Sequence, residues 1–240
     1  MKAKELMEEI GRITTIARYP VKSMGGERLG EAQLTLQGLA GDRLYAFVQR
    51  DSKGPFPWLT GREAPQMLSY AAQTRSGSGP GLDVLTPSGS VLAADSDELL
   101  RELEALAGRP IYRLANYRGS FDVAAVAVIA HATVQALAAA SETEVDAGRY
   151  RMTFTIDTGS EEPFIENQWV GRVLRIGETA RVAVTERDKR CVMITLDHPT
   201  SAGSPRILRA AAELNGACAG VYGSVSTAGE VREGDTVWVE

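Results

Sequence analysis

Short apolar runs rich in β-branched and aromatic residues recur along the first part of the chain. The run ITTIARYPV (13–21) predicts a strand that ends in a turn at Pro20, and LYAFVQ (44–49) predicts another after the glycine turn GLAGD (38–42). The segment GLDVLTPSGSVLAA (81–94) is typical of a hairpin. This part of the chain is therefore predicted to be mostly strand.

Two helical segments interrupt these strands. The amphipathic run LLRELEALAG (99–108) follows a group of acidic residues and ends at Gly108, which predicts a helix with a favourable start and a glycine stop. A shorter helix is predicted over residues 62–68, where Pro65 weakens the pattern.

The second half of the chain has longer apolar and alanine-rich runs. VAAVAVIA (123–130) fits either a buried strand or the start of a helix, and a helix is predicted over about residues 132–140 because strong helix formers dominate there. Strands are predicted over RMTFTIDT (151–158), RVLRIG (172–177), TARVAVTE (179–186) and DTVWVE (235–240), and a helix over RILRAAAELNG (206–216).

Strands dominate this pattern, a few helices lie between them, and the sequence has no internal repeat. The predicted fold is mainly β within the α+β class and contains a barrel. The change in texture predicts two domains, residues 1–110 and 111–240.

Composition narrows the classes of function. Hydrophobic residues make up 44% of the 240 positions, and 31 acidic residues against 26 basic ones give a net charge of -5. This balance argues against a nucleic-acid partner. No apolar run approaches the roughly 18 residues of a membrane span. The charged amino terminus lacks the apolar core of a signal peptide, so a cytoplasmic location is expected.

Common catalytic and metal-binding motifs are missing from the sequence. It has no CxxC, HExxH, GxxxxGK[ST] or GxSxG pattern and only two histidines, which argues against zinc sites, Walker loops and nucleophile elbows. With two cysteines, a disulfide framework is not expected. The remaining chemistry must use a thiol, carboxylates, basic side chains or a cofactor.

Cys191 is the first candidate for such chemistry. It follows Lys189 and Arg190, and neighbouring cations stabilise a thiolate as a nucleophile, a persulfide carrier or a soft-metal ligand. The alternative is a small buried thiol among solvated basic residues. Cys218 lies among small apolar residues and is interpreted as core packing.

Basic residues in loops form a second group of candidates. Lys22 and Ser23 in YPVKS offer a cation and a hydroxyl to an anion such as phosphate, and Arg43 in GDR extends the same rim. The alternative is an ordinary surface loop. Arg149 and Arg151 alternate along the strand predicted there and so share one face, which is either functional or simply exposed.

The ordered series of motifs resembles a known family over residues 12–239. YPVKS, GLxGDR and GRExP, in that order, resemble the N-terminal β-barrel domain that accompanies MOSC domains. The second half resembles the MOSC domain itself, named after the carboxyl end of molybdenum cofactor sulfurases. The matching motifs are the RxR of 149–151, ExxWVGxxLxIG (166–177), the RC of 190–191, VYG (221–223) and GxVxxGDxV (229–237).

The resemblance implies a barrel-like N-terminal domain, a MOSC β-barrel domain with peripheral helices, and molybdopterin carrying molybdenum as cofactor. It implies that Cys191 is the metal ligand and catalytic residue of a reductase of N-hydroxylated or related N-oxygenated compounds. Its alternative role is that of a sulfur carrier holding a persulfide. The cofactor-binding residues that it implies are Lys22, Ser23, Arg43, Arg149, Arg151, Thr153 and Arg190.

The implied partners are a small-molecule substrate and either a separate electron-transfer protein or a sulfur donor. A non-catalytic cofactor-binding module is the third hypothesis. The sequence departs from the family pattern at Met152, where proline is usual, and at Thr153, where asparagine is usual. Asp188 and Lys189 also differ from the relatives, so the departures concentrate near the implied site.

Overall fold

The computed structural model describes residues 7–54, 56–74, 81–197 and 203–240. The α-helices are α1 (Asp97–Ala107), α2 (His131–Ser141) and α3 (Arg206–Asn215), and short 3-10 helices cover Pro65–Ser69, Ala147–Tyr150, Ile165–Trp169 and Val192–Thr195. The strands are β1 (Glu8–Arg18), β2 (Glu27–Leu29), β3 (Glu31–Thr35), β4 (Gly38–Leu39), β5 (Tyr45–Gln49), β6 (Ala71–Thr74), β7 (Leu82–Leu85), β8 (Val91–Ala93), β9 (Ile111–Ala115), β10 (Val126–Ala130), β11 (Phe154–Asp157), β12 (Val173–Ile176), β13 (Ala180–Lys189), β14 (Cys218–Thr227), β15 (Gly229–Arg232) and β16 (Thr236–Val239).

Seven strands form a closed barrel in the order β11-β10-β14-β13-β12-β16-β1, and the pairing of β1 with β11 completes the circle. The β10–β11 pair is parallel, with α2 in the crossover that a parallel connection requires. Alternate side chains such as Ile156, Leu174 and Val182 are buried in a common core. The prediction of a strand-rich fold containing a barrel is confirmed.

Strand β1 closes the barrel from the amino-terminal side of the chain. It pairs with β11 on one edge, where the register shifts between Ile13 and Thr15, and with β16 on the other, where it shifts between Glu9 and Gly11. Gly11 has a φ of +144°, and a Cβ there would overlap the carbonyl oxygen of Asp157. Only glycine allows this close approach. The strand begins earlier than its predicted start at Ile13 because both edges find partners.

Further ladders also join the two halves of the chain. Strand β15 pairs with β3, and the ribbon of β5 and β9 lies beside the three-stranded sheet of β6, β7 and β8. Strands β1 and β3 both pair with strands from the second half of the chain. The division into residues 1–110 and 111–240 stays a prediction.

A second core lies under α1 and the β6–β8 sheet, with Met24, Phe47 and Leu99 among its buried side chains. Helix α1 begins where the Ser96 hydroxyl accepts a hydrogen bond from the backbone N–H of Leu99, and it ends at left-handed Gly108. The predictions of this helix and of the hairpin β7–β8, which precedes it in the chain, are confirmed. No helix within the described residues is long and apolar enough to cross a membrane.

Three local predictions need correction or resolution. The helix expected over 62–68 is a 3-10 helix that starts at Pro65, because proline is accommodated in a first turn but not in a helix interior. The strand expected over 151–158 starts only at Phe154; before it comes the 3-10 helix 147–150. The ambiguous run 123–130 contains strand β10.

Candidate functional site

A cleft of about 290 Å³ opens between the rim of the barrel and the loops of the amino-terminal half. The loop after β1, the end of β13 and the segment before β11 all contribute to its walls. The cleft brings together most of the residues that the sequence singled out: Lys22, Ser23, Arg43, Arg151, Thr153, Arg190 and Cys191.

Lys22 is held nearly buried on one wall of the cleft. Its Nζ donates a hydrogen bond to the Ser120 carbonyl oxygen at 2.7 Å and forms an ion pair with Asp122. The ammonium also lies 5.6 Å from the centre of the Phe56 ring and 5.5 Å from that of Trp58. Burial lowers the pKa of Lys22, and the nearby Asp122 carboxylate opposes this shift.

Arg43 and Arg151 lie against one buried tyrosine. The guanidinium carbon of Arg43 is 4.7 Å from the centre of the Tyr19 ring, and that of Arg151 is 4.2 Å from it. Arg43 pairs with the buried carboxylate of Asp42, and this pairing outweighs burial and raises the pKa of Arg43. Arg151 donates to the Met24 carbonyl oxygen at 2.7 Å.

The two guanidinium groups also influence each other. Burial, and secondarily the charge of Arg43, lowers the pKa of Arg151 to about 10. Both residues have positive φ angles, +47° for Arg43 and +55° for Arg151. A positive φ is strained for a residue other than glycine, so the surrounding structure must hold both arginines in this conformation. Strain of this kind is typical of binding sites.

Arg190, Asp188 and Tyr222 form a third group in the cleft. Arg190 pairs with Asp188 and donates to the Tyr150 carbonyl oxygen at 2.7 Å. Burial raises the pKa of Asp188, while the charge of Arg190 and a hydrogen bond from Tyr222 oppose the shift. Burial likewise raises the pKa of Tyr222. The group therefore holds a carboxylate, a phenol and a guanidinium in contact at the end of β13.

Cys191 follows directly after this group and is exposed. Its carbonyl oxygen accepts a hydrogen bond from the N–H of Ile194, so the thiol is at the start of the 3-10 helix 192–195. The alternative of a buried thiol is wrong, because β13 ends at Lys189 and leaves Cys191 at the cleft. Across the described ranges, no group of three or more His, Cys, Asp or Glu side chains could hold a metal ion.

Arg149 does not line the cleft. It is buried in the 3-10 helix 147–150, where its Nη1 donates to the Ile194 carbonyl oxygen at 3.0 Å and its other terminus pairs with Asp197. The prediction that Arg149 and Arg151 share one face of a strand is wrong, because the chain turns sharply at Arg151. Arg149 instead holds the segment that follows Cys191.

Ser23 and Thr153 are both buried residues of the cleft wall. The Thr153 hydroxyl accepts a hydrogen bond from the Ala127 N–H at 3.1 Å, so it ties β10 to the segment before β11. Ser23 has a φ of +65° in the turn after Pro20. Met152, next to Thr153 in the chain, is buried and packs in the hydrophobic cluster under α2 and α3.

Several residues of the cleft were missed by sequence reasoning. Asp122 and Phe121 come from an irregular segment before β10, and no motif distinguishes Tyr150 or Phe56. Cation–aromatic contacts arise from the fold, so spacing in the sequence gives no signal for them.

The chemistry of the walls suits a ligand with phosphate groups. Among the described residues, six basic side chains and two carboxylates line the cleft: Lys22, Arg43, Arg62, Arg151, Lys189 and Arg190, with Asp122 and Asp188. Two buried groups at the cleft, the Tyr150 hydroxyl and the Nε of Arg190, have no hydrogen-bond partner. An unpaired buried donor is costly unless a ligand or water satisfies it. These residues fit a phosphate-bearing cofactor.

Comparison with known families gives a clear assignment. The model of the MOSC domain matches residues 117–238, and that of the MOSC N-terminal beta barrel domain matches residues 10–105. No match to the chain was found among curated proteins. The resemblance drawn from the motifs is confirmed.

One solved structure shares the fold at low sequence identity, and a second is similar with a lower score. The YuaD protein from Bacillus subtilis is 10% identical with a TM-score of 0.54, and the match covers 98% of each chain. YiiM from Escherichia coli is 12% identical with a TM-score of 0.43, over 95% of this chain and 69% of that one. At this identity the YuaD structure supports the fold and carries nothing about activity.

Proposed function

Because this chain belongs to the MOSC domain family, which is associated with molybdenum cofactor binding, we propose that its cleft binds molybdopterin carrying molybdenum. We further propose that it reduces N-hydroxylated or related N-oxygenated small molecules. One observation carries the proposal: the exposed Cys191 thiol shares a cleft with several cations held by buried contacts.

The anionic part of the cofactor would be held by Lys22, Arg43 and Arg151, with Ser23 beside them. Arg151 is the strongest of these candidates, because it lies in the cleft and donates to a carbonyl oxygen rather than to a carboxylate. Arg43 is fixed by Asp42 and Tyr19, so it offers charge in a prepared position. A site organised before binding loses less entropy when the ligand arrives.

Cys191, which lines the same cleft, would hold the metal. Bound there, the cofactor supplies the two-electron chemistry that removes an oxygen atom from the substrate. Arg190 precedes Cys191 in the chain and would add positive charge near the metal ligand. Asp188 and Tyr222, in hydrogen-bond contact, are the side chains able to hold a proton in this cleft.

A sulfur-carrier function is the second candidate, and the exposure of Cys191 favours it. A persulfide must be accessible to a donor and an acceptor protein, and the thiol is exposed at the mouth of the cleft. The cations that line the cleft would stabilise an anionic persulfide by their charge.

Each function requires a separate protein partner. Reduction of a small-molecule substrate consumes two electrons, which we assign to an electron-transfer protein, and persulfide transfer requires a sulfur donor. The net charge of -5 supports our expectation of no nucleic-acid partner. A cytoplasmic location is part of this proposal.

Elemental analysis of the protein purified from a host that makes molybdopterin tests the proposal. We expect near-stoichiometric molybdenum and pterin in the wild type, reduced molybdenum in Cys191→Ala, and no change in the control Cys218→Ala. Pterin lost from Arg151→Gln would support the assigned phosphate contact. Absence of both molybdenum and pterin from the wild type would contradict the proposal, and a cyanide-labile sulfur on Cys191 would then favour the sulfur carrier.

A further inference from the structure

The outer wall of the cleft carries an aromatic ring and a cation in contact with each other. Phe56 is 39% exposed, and the guanidinium carbon of Arg62 lies 4.7 Å from the centre of its ring. Both residues line the cleft, yet neither takes part in the contacts assigned to the cofactor. An exposed aromatic ring at the mouth of a cleft offers apolar contact to a ligand.

The guanidinium of Arg62 is held in place from its own turn. Its Nε donates to the hydroxyl of Thr60 at 3.3 Å, and its backbone N–H donates to the same oxygen at 3.2 Å. The nearby Glu63 carboxylate accepts from the Thr60 hydroxyl at 2.6 Å and lies outside the cleft lining. Arg62 is therefore an oriented cation that faces the cleft without an ion-pair partner among the described residues.

This wall packs directly against the segment that carries Cys191. A Cβ placed on Gly61 would lie only 2.9 Å from the Cε of Met193, so the Met193 side chain covers the turn between Thr60 and Arg62. Met193 and Cys191 line the same cleft as Arg62, so a small molecule bound at the thiol shares that cleft with this wall.

We propose that Phe56 and Arg62 form a substrate-recognition subsite for small aromatic molecules that carry an anionic group. The ring of Phe56 contacts the aromatic part, and Arg62 pairs with the anion. Exposed Lys189, on the cleft wall, adds a second positive charge and disfavours cationic ligands. The inference rests on the proposed function in that it places the reacting end of the molecule at Cys191.

Titration calorimetry with three aromatic probes tests the charge preference. Benzoate, benzyl alcohol and benzylamine share one ring and differ in charge, and we expect benzoate to bind most tightly and benzylamine most weakly. Arg62→Gln should weaken benzoate by about tenfold, as for a hydrogen bond to a charged group, and leave benzyl alcohol unchanged. The matched control is Arg101→Gln, at an exposed arginine of α1.

A second pair of variants tests the aromatic contact. Phe56→Leu should weaken all three probes by about fivefold, whereas Tyr112→Leu, at an exposed aromatic residue of β9, should change none of them. These side chains are exposed, so the folded state tolerates both changes. Benzoate affinity unchanged in Arg62→Gln, or lost only in Lys22→Met, would overturn the subsite.

Molybdenum and pterin content of each sample separates this inference from the proposed function. Benzoate binding that depends on Arg62, in protein that lacks cofactor after purification from a host that makes molybdopterin, would support the subsite while contradicting the molybdenum proposal. Protein loaded with molybdenum that shows no preference for benzoate would overturn the subsite alone. If the cofactor itself blocks benzoate, the Phe56 wall contacts cofactor and the substrate subsite is likewise overturned.

Discussion

Replacing Asp122 with asparagine removes the counterion of a nearly buried ammonium group. Lys22 is only 6% exposed, and its Nζ contacts the Asp122 carboxylate and the Ser120 carbonyl oxygen. Asparagine preserves the shape of the side chain and one acceptor oxygen, so the change is chiefly one of charge.

The size of the effect follows from the burial of the two partners. Removing one member of a fully buried pair costs about 3–5 kcal/mol, whereas an exposed pair contributes about 0–1 kcal/mol. The Lys22 side chain is 7% exposed and that of Asp122 is 47% exposed, so this pair lies between those limits. We expect Asp122→Asn to lower the free energy of unfolding by about 1–2 kcal/mol at pH 7.

The pH dependence has a definite sign. Burial lowers the pKa of Lys22 below that of an unfolded lysine, so keeping the ammonium charged opposes folding at every pH below the lowered value. That cost disappears as the pH rises through the lowered pKa toward about 10.4, the ordinary lysine value. The variant lacks the opposing carboxylate, so its loss of stability should be largest near pH 7 and shrink toward pH 10.

Urea unfolding followed by tryptophan fluorescence at pH 7 and pH 10 measures this difference. The control is Glu186→Gln, which removes the same charge from an exposed position on β13. A loss of stability that is equal at both pH values, or no larger than that of the control, would refute the reasoning.

Four further substitutions test the packing, the helix cap and the buried hydrogen bonds. Gly220→Ala should lower the free energy of unfolding by more than about 2 kcal/mol, because the new Cβ would meet Met152 at a φ of +85°. Gly234 has a similar φ of +88° but open space around it, so Gly234→Ala should cost only about 1 kcal/mol. Urea unfolding compares the two variants. Ser96→Ala should cost about 1 kcal/mol through the lost helix cap, measured in the same assay. Glu166→Ala should lower the free energy of unfolding by about 2–4 kcal/mol, because the Gly220 N–H and the Thr133 hydroxyl lose their buried acceptor. The melting temperature should fall accordingly, and an unchanged value would contradict this expectation.

Local signals in the sequence were enough to predict several elements of the fold. Helix α1 has its cap, acidic start and glycine stop within a dozen residues, and the hairpin of β7 and β8 has its turn between two short apolar runs. The close approach at Gly11 could not be predicted, because it depends on contact with Asp157 on the paired strand β11. Pairing between distant strands leaves little trace in one sequence.

Only part of the candidate site could be predicted, because only some of its residues are marked by a motif in the sequence. Cys191 and Lys22 were found because motifs mark them, and the structure places both in one cleft. Arg149 was misplaced because alternation along RYRM suggested a strand where the chain turns. Asp122, which pairs with Lys22, lies 100 positions away in sequence, so only the folded chain shows that they are partners.

The position of β1 has a consequence for how the protein is made. On the ribosome β1 emerges before β16, which lies beside it in the barrel. Strand β1 must therefore wait, with one edge unpaired, until β16 has been synthesised. A fragment that starts at residue 117, as the MOSC match does, would lack this strand and leave β11 and β16 as two open edges prone to association.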